Sequence, residues 1–85
     1  MYTLQDGSRI EVLDLGRDDG AEIIGRNSAE EIVCYIATEN ATADNAAIMD
    51  AITNGAQTLA QVFDMWENGL GGSPFDLDYL PEYLK

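Results

Sequence analysis

Hydrophobic and polar positions alternate through the first 26 residues as they do in β-strands. Residues 2–5 alternate, residues 9–15 are rich in Ile, Val and Leu, and residues 21–26 contain the pair Ile23-Ile24. Asp6-Gly7 and the glycine-bounded run at 16–20 have the composition of tight turns. The pattern therefore predicts a three-stranded antiparallel meander with strands at residues 2–5, 9–15 and 21–26.

After Asn27 the pattern changes to one that is typical of helices. Ser28 and Glu31 have the spacing of a capping box, in which the serine accepts from the Glu31 amide and Glu31 reaches back. Ile32, Val33 and Ile36 then share one face at helical spacing. These signals predict a helix that begins at Ser28, within a helical region of two or three helices at residues 28–69.

An apolar stripe continues through residues 44–68 in steps of three or four, formed by Ile48, Ile52, Ala56, Leu59, Phe63 and Trp66. Thr42 and Asp44 are both suitable as the cap that precedes it. Asn54-Gly55 is typical of a helix end, and Thr58 suits the start of a new helix. One kinked helix and two short helices both fit, and the paired stop and start signals favour two.

The last residues, 70–85, form a C-terminal arm in which acidic residues alternate with aromatic and aliphatic ones. The glycines that precede it predict a flexible joint, and Pro81 breaks any helix near Leu80. We expect a short helical turn up to Leu80, followed by extended chain. Together these elements predict a single α+β domain over residues 1–85, with a meander at 1–26, helices at 28–69 and the acidic-aromatic arm.

The charge of the chain is unusual for its size. Sixteen acidic residues face four basic ones, which gives a formal net charge of −12. No lysine or arginine occurs between Arg26 and Lys85, although ten acidic residues lie between them. Internal salt bridges therefore cannot neutralise most of the carboxylates, which must face water, a cation or a positively charged partner.

The residues that common enzymes and metal sites require are missing from the sequence. Histidine is absent and Cys34 is the single cysteine, which excludes the usual zinc sites and the commonest general base. No phosphate-binding loop with its lysine occurs. Residues 14–20 fail as an EF-hand loop, since Leu15 and Arg17 occupy ligand positions. None of the serines lies in the Asp-Ser-Leu context of acyl carrier proteins. We expect no enzymatic activity, no catalytic residues, no metal and no cofactor.

Direct nucleic-acid binding and membrane insertion are also disfavoured. Residues 44–69 faintly resemble a helix-turn-helix, but they contain no lysine or arginine to contact phosphates, so Leu59, Val62, Phe63 and Trp66 are interpreted as core. No apolar run approaches the roughly 20 residues that span a bilayer, and no secretory signal opens the chain. A lone cysteine suits a reducing compartment. These features predict a cytoplasmic protein.

Candidate binding residues concentrate near the C-terminus. Five of the seven aromatic residues lie in the last 23 positions, and protein interfaces favour aromatic anchors with charges at the rim. In an extended arm Asp76 and Asp78 would project about 6.6 Å apart, close to the roughly 6.8 Å of two nucleotide steps. We therefore predict a protein-binding surface formed by Asp76, Asp78, Glu82, Tyr79, Tyr83 and Glu67.

In length, strand-turn-strand beginning, following helices and uncompensated acidity, the chain resembles phage-encoded anti-CRISPR proteins and other DNA-mimic inhibitors. The resemblance covers the overall character of the chain and no motif. It implies a non-enzymatic inhibitor that occupies the basic DNA- or RNA-binding surface of a bacterial defence complex. Two alternatives stay open, namely an adaptor or antitoxin that neutralises a basic partner protein, and an acidic domain adapted to saline cells. A homodimer is also left open.

Overall fold

The computed structural model describes residues 1–16, 18–65, 73–78 and 80–85. Within these residues the chain forms one four-stranded antiparallel sheet, in which the strands lie side by side in chain order, followed by two α-helices. This arrangement confirms the predicted α+β class. The elements are β1 Tyr2–Thr3, β2 Arg9–Asp14, β3 Ala21–Arg26, β4 Ile32–Thr38, α1 Ala41–Thr53, α2 Leu59–Met65 and a 3-10 helix at Glu82–Leu84.

The predicted meander is present in β1, β2 and β3. β1 pairs with β2 and β2 pairs with β3, both antiparallel, close to the predicted strand limits. The first turn is closed by the Leu4 amide, which donates to the Ser8 carbonyl at 2.8 Å, and Gly7 adopts a positive φ of 87° within it. β1 is shorter than predicted because only Tyr2 and Thr3 pair with β2.

The predicted helix at Ser28 is wrong, and the sheet has a fourth strand instead. The side chain of Asn27 makes the difference, because its Oδ1 accepts from the amides of Ala29 and Glu31, both at 3.0 Å. Its backbone amide donates to the Glu31 carbonyl at 3.0 Å, which closes a tight turn. Asparagine side chains compete with helix formation through such local bonds. The Ser28–Glu31 capping box is therefore not formed.

The sequence that follows the Asn27 turn is well suited to a strand. Ile32, Val33 and Ile36 are β-branched, and such residues favour the extended backbone. β4 pairs with β3 so that Cys34 lies opposite Gly25 and Ile36 opposite Ile23. Cys34 and Ile36 are both buried. Alternation, rather than helical spacing, was the informative pattern in this segment.

The part of the stripe that the structure describes, up to Met65, is divided into two helices, as favoured above, and Trp66 lies outside the described residues. α1 is capped by Asn40, whose side chain accepts from the Ala43 amide, rather than by Thr42 or Asp44. At its end the amides of Gly55 and Ala56 donate to Ile52 and Ala51 carbonyls, each at 3.0 Å, and Gly55 has a φ of 104°. This is the Schellman arrangement that glycine permits.

The second helix begins at the predicted cap. Thr58 Oγ1 accepts from the Gln61 amide at 3.2 Å, and the Gln61 side chain accepts from the Gln57 amide at 2.7 Å. These bonds satisfy amides that have no partner within the helix. The corner between Asn54 and Thr58 therefore lets both helices fold back toward the sheet.

The hydrophobic core lies between one face of the sheet and the two helices. Its fully buried members come from both layers and include Ile10, Ile23, Ile48 and Val62. Gly25 permits close packing there, because a Cβ at this position would lie 2.7 Å from Cys34 Cβ and 3.2 Å from Leu59 Cδ1. The absence of a side chain at Gly25 thus makes room for Cys34 on the neighbouring strand and for Leu59 of α2.

We expect Asn27→Ala to lower the free energy of unfolding by about 1–2 kcal/mol, because three side-chain hydrogen bonds of the β3–β4 turn are lost. Ser28→Ala is the matched control and should change it by less than about 0.5 kcal/mol, since Ser28 is exposed. Urea unfolding of both variants measures the difference. The reverse ranking would indicate that Ser28 caps a helix and would contradict the strand.

We expect Gly25→Ala to destabilise the fold by about 1–3 kcal/mol, since a new methyl group would overlap Cys34 on the partner strand. Gly55→Ala serves as a comparison, because a Cβ there would meet no atom within 4 Å and only the positive φ is strained. Thermal or urea unfolding provides the measurement. A Gly25→Ala protein as stable as the parent would show that Cys34 does not pack closely against this position.

Candidate functional site

Carboxylates far outnumber cations among the exposed side chains of the described residues. Only two ion pairs occur in the described part of the chain, Arg9 with Glu30 and Lys85 with Glu82. The second joins exposed side chains at an N–O distance of 3.3 Å, and such pairs contribute little. The exposed acidic residues are Asp6, Asp14, Asp18, Asp19, Glu30, Glu31, Glu39, Asp50, Asp64, Asp76, Asp78 and Glu82.

The arginines of the sheet are used within the molecule. Arg9 and Arg26 lie opposite each other on β2 and β3. Arg9 donates to the Glu30 carboxylate, and Arg26 donates to the Glu30 carbonyl at 3.1 Å. The hydrogen bond and charge of Arg9 lower the pKa of Glu30. Both cations therefore hold the β3–β4 turn, where Glu30 has a φ of 68°, and neither compensates the remaining acids.

The C-terminal arm is folded differently from the prediction. Its first part forms consecutive turns, in which the Asp76 amide donates to the Ser73 carbonyl at 3.1 Å and the Leu80 amide donates to the Leu77 carbonyl at 3.1 Å. The helical element follows Pro81, as the 3-10 helix at Glu82–Leu84, rather than ending before it. Proline fits this position because the first amides of a helix have no partner within the helix. The extended spacing assumed for Asp76 and Asp78 does not apply.

The arm is attached to the edge of the sheet and to the second helix. The Tyr35 amide of the edge strand β4 donates to the Pro74 carbonyl at 2.9 Å. Phe75, which follows Pro74, packs edge-to-face on Phe63 of α2, with ring centroids 6.2 Å apart and an interplanar angle of 88°. Aromatic pairs favour this geometry. The start of the arm is thus fixed by one backbone bond and one ring contact.

The end of the arm is held by a buried carboxylate on the other face of the sheet. Glu22 is only 4% exposed, and it alternates with the core residue Ile23, so it points away from the helices. The hydroxyls of Tyr35 and Tyr83 donate to its two carboxylate oxygens. Ile24 is 2% exposed, although it too points away from the helices. Two neutral donors therefore satisfy Glu22, and the one from Tyr83 fixes the end of the arm across this face.

The hydrogen bonds to Glu22 favour the protonated forms of Tyr35 and Tyr83. Burial and the bond to Glu22 raise the pKa of Tyr35, and the bond to Glu22 raises the pKa of Tyr83. An ionised tyrosine could not donate and would repel the carboxylate. The stabilisation that the Tyr83–Glu22 hydrogen bond gives to the attached arm is therefore present below the ordinary tyrosine pKa of about 10. It is lost as the pH rises through the raised pKa of Tyr83.

The structure places the predicted binding residues as follows. Asp76, Asp78 and Glu82 are exposed, and Tyr83 is 67% exposed although its hydroxyl is bonded. The Asp76 carboxylate also accepts from the Asp78 amide at 3.0 Å. Glu67 and Tyr79 lie outside the described residues. Three of the predicted acids and the ring of Tyr83 are thus exposed within one short segment of the chain.

A second group of acids was missed by sequence reasoning. Asp14 ends β2 and Glu39 follows β4, and the sheet register places Asp14, Ala21 and Thr38 side by side at one end. Asp14 and Glu39 line one shallow cleft there, and Asp18 and Asp19 lie in the adjoining turn. We call Asp14, Asp18, Asp19 and Glu39 the acidic end of the sheet. Asp14, Asp18 and Asp19 belong to the predicted meander, but only the strand assignment of residues 32–38 could have placed Glu39 beside them.

The remaining buried polar groups have structural partners. Asp44 accepts from the Thr38 hydroxyl and ties α1 to the end of β4. Burial raises the pKa of the Cys34 thiol to about 12, which keeps the sulfur protonated at neutral pH. Within the described ranges, no group of three or more acidic or cysteine side chains is arranged to hold a metal ion. No helix of those ranges is both long and apolar enough to cross a bilayer.

Comparison of the chain with known protein families, curated proteins and solved structures finds no match. The functional argument therefore rests on the surface itself.

We expect Tyr83→Phe to weaken the attachment of the arm without unfolding the sheet, because it removes the hydroxyl through which the arm donates to Glu22. The amide of Tyr35 reports attachment, since it bonds to Pro74 rather than to β3. Its hydrogen-exchange protection, measured by NMR, should fall at least about threefold.

Tyr2→Phe is the matched control for Tyr83→Phe. It removes a tyrosine hydroxyl that donates to Asn45 at 2.6 Å, on a different part of the molecule. The Tyr35 amide should keep its protection in this variant relative to the core amides. Equal protection in the Tyr83→Phe protein and the parent would show that Glu22 does not hold the arm.

Proposed function

We propose that the chain is a non-enzymatic acidic binding protein that inhibits a nucleic-acid-handling complex by occupying its basic DNA- or RNA-binding surface. The observation that carries this proposal is the number of exposed carboxylates without a cationic partner in the described residues. A partner with clustered lysine and arginine residues supplies the missing positive charge. Surfaces that bind phosphate backbones have that composition.

The charge pattern suits recognition by a partner better than internal stabilisation. Carboxylates crowded on a small fold repel one another and oppose compaction. A basic surface would remove this repulsion on binding and would steer the encounter through the long-range field. The same physics predicts that binding weakens with salt, because the Debye length falls to about 8 Å at physiological ionic strength.

The C-terminal arm is the contact surface that we propose within this acidic molecule. Asp76, Asp78 and Glu82 supply charge, and the exposed ring of Tyr83 supplies apolar area in the same segment. The bonds to Tyr35 and Glu22 fix the arm before it meets a partner. A fixed segment loses less conformational entropy on binding than a free one.

A bacterial CRISPR-type defence effector is the partner class that we propose, and the bacterial cytoplasm is the compartment. The support is the resemblance in size, acidity and strand-turn-strand beginning to phage-encoded inhibitors. Such an effector presents a positively charged channel that holds its RNA–DNA duplex. The channel recognises backbone charge rather than base sequence, which a carboxylate-bearing surface can imitate.

The test is a triple charge reversal of the arm, Asp76→Lys, Asp78→Lys and Glu82→Lys, in capture experiments from bacterial lysate at low and high ionic strength. The parent should capture a nucleic-acid-binding complex at low salt and compete with its DNA or RNA. The arm variant should associate at least about tenfold more slowly, since charges at an interface act mainly on the association rate. Its thermal stability should change little, because all three side chains are exposed.

The matched control reverses the same number of charges at the acidic end of the sheet, in Asp18→Lys, Asp19→Lys and Glu39→Lys. This variant should retain more of the binding if the arm makes the contact. If the arm variant captures and competes as well as the parent, the assignment of the arm is wrong. If the parent captures no nucleic-acid-binding protein and its stability rises strongly in molar salt, the acidity serves solubility in saline cells instead.

A further inference from the structure

The two edges of the sheet are covered to different extents. At the β4 edge the Tyr35 amide is bonded to Pro74 of the arm. At the opposite edge, β2 runs from Arg9 to Asp14, but β1 pairs only with its first two residues, Arg9 and Ile10. The later part of β2 therefore extends beyond its neighbour.

Two hydrogen bonds show which backbone groups of β2 face outward. The Leu15 amide donates to Gly20 at 3.0 Å, toward β3, and the Leu4 amide donates to Ser8 at 2.8 Å, across the first hairpin. Bonding direction alternates along an antiparallel strand. Val12 and Asp14 therefore point their amides and carbonyls away from β3. No described residue of β1 pairs with either of them.

The surroundings of this free edge select what can bind there. Glu11 and Asp14 lie on the edge strand itself, and Asp18 and Asp19 are exposed in the next turn. Arg9, on the same strand, is already paired with Glu30. A second copy of the chain would bring two acidic edges together, and like charges on neighbouring strands are destabilising. A basic segment would instead meet complementary charge.

The edge also offers apolar contact beside its polar groups. Val12 and Leu13 are half-buried, and Leu15 is 41% exposed just after the strand. Peptides that add to a sheet edge gain affinity from main-chain hydrogen bonds and specificity from alternate side chains. This mode of recognition fits the edge of β2, which offers outward backbone groups, apolar side chains beside them and acidic side chains nearby.

We propose that the free edge of β2 at Val12 and Asp14 is a strand-addition site for an extended, lysine- or arginine-bearing segment of a partner protein. The main chain of the segment pairs with β2, and its basic side chains lie beside Glu11 and Asp14. This site is separate from the C-terminal arm. It goes beyond the function proposed above and does not require competition with nucleic acid.

The first test uses a ten-residue peptide of alternating lysine and valine as the probe. Bound peptide should slow hydrogen exchange of the Val12 and Asp14 amides at least about tenfold, as read by NMR. The control peptide has the same sequence with N-methyl groups on the residues that would pair with β2. It keeps the charge but cannot complete the main-chain bonds. Equal binding of the two peptides, or no added protection at Val12 and Asp14, would overturn the proposal.

The second test compares Val12→Pro with Val12→Ala in peptide titrations. Both variants lose the valine side chain, but only proline removes the outward amide, and an outward amide can be lost without breaking the β2–β3 ladder. The peptide should bind Val12→Pro at least about tenfold more weakly than Val12→Ala. Asp14→Pro and Asp14→Ala provide the same comparison at the strand end if Val12→Pro does not fold. Equal affinity within the folded pair would contradict strand addition.

Hydrogen exchange measured without peptide would identify two other occupants of the edge. If Val12 and Asp14 are already protected without peptide and the protection rises with protein concentration, a second copy occupies the edge and the proposal fails. If protection without peptide is independent of concentration, the chain covers its own edge and the proposal also fails. The triple lysine variant of the arm should retain peptide binding, so failure at the arm and failure at the edge can be distinguished.

Discussion

A shortage of cations is the constraint on which the rest of the structure depends. With sixteen acidic and four basic residues, the chain cannot satisfy its carboxylates by ion pairing. Neutral donors take that role instead, because hydroxyls and backbone amides can satisfy a carboxylate oxygen without cancelling its charge. Glu22 accepts from two tyrosines, Asp44 from Thr38 and Asp6 from Ser8.

This choice of donors links stability to surface charge. A salt bridge would remove one negative charge from the field of the molecule, whereas a tyrosine hydroxyl leaves the field unchanged. Hydrogen bonds from hydroxyl groups therefore satisfy these carboxylate oxygens without placing a positive charge beside them. The lowered pKa of Asp6, caused by its bonds to Ser8, shows the same effect in a turn, since the ionised form is the one favoured. An acidic binding protein needs carboxylates that are ordered and still charged.

The sequence predicted the fold where local signals agreed and failed where they competed. The meander and the corner at Gly55 followed from turn and cap residues whose bonds are local. At residues 27–36 two local patterns were present, a capping box at Ser28 and an asparagine turn at Asn27. The choice between them depended on β3, which offers a partner strand and a gap at Gly25 that no local rule reveals. The β-branched residues Ile32, Val33 and Ile36 were the signal available in advance.

The candidate site was predictable in composition but not in geometry. The exposure of Asp76, Asp78 and Glu82 follows from their charge, and the acidity of the arm is visible in the sequence. Its position on the sheet depends on contacts with Tyr35, Phe63 and Glu22, which lie up to 61 positions away along the chain. The place of Glu39 at the acidic end of the sheet could not be predicted without β4. Long-range pairing was the missing information in each case.

The arm and the sheet depend on each other through Glu22. If the arm were absent, the carboxylate would lose the Tyr83 hydroxyl, and the outward amide of Tyr35 would lose Pro74. A hydrogen bond within the protein contributes a modest net free energy even where water can replace the partner, so the sheet favours the attached arm. Attachment in turn holds the arm acids close to the rest of the negative charge, where they repel it. The arm is therefore held by short-range hydrogen bonds against a long-range repulsion, and a basic partner would relieve the repulsion while leaving the bonds in place.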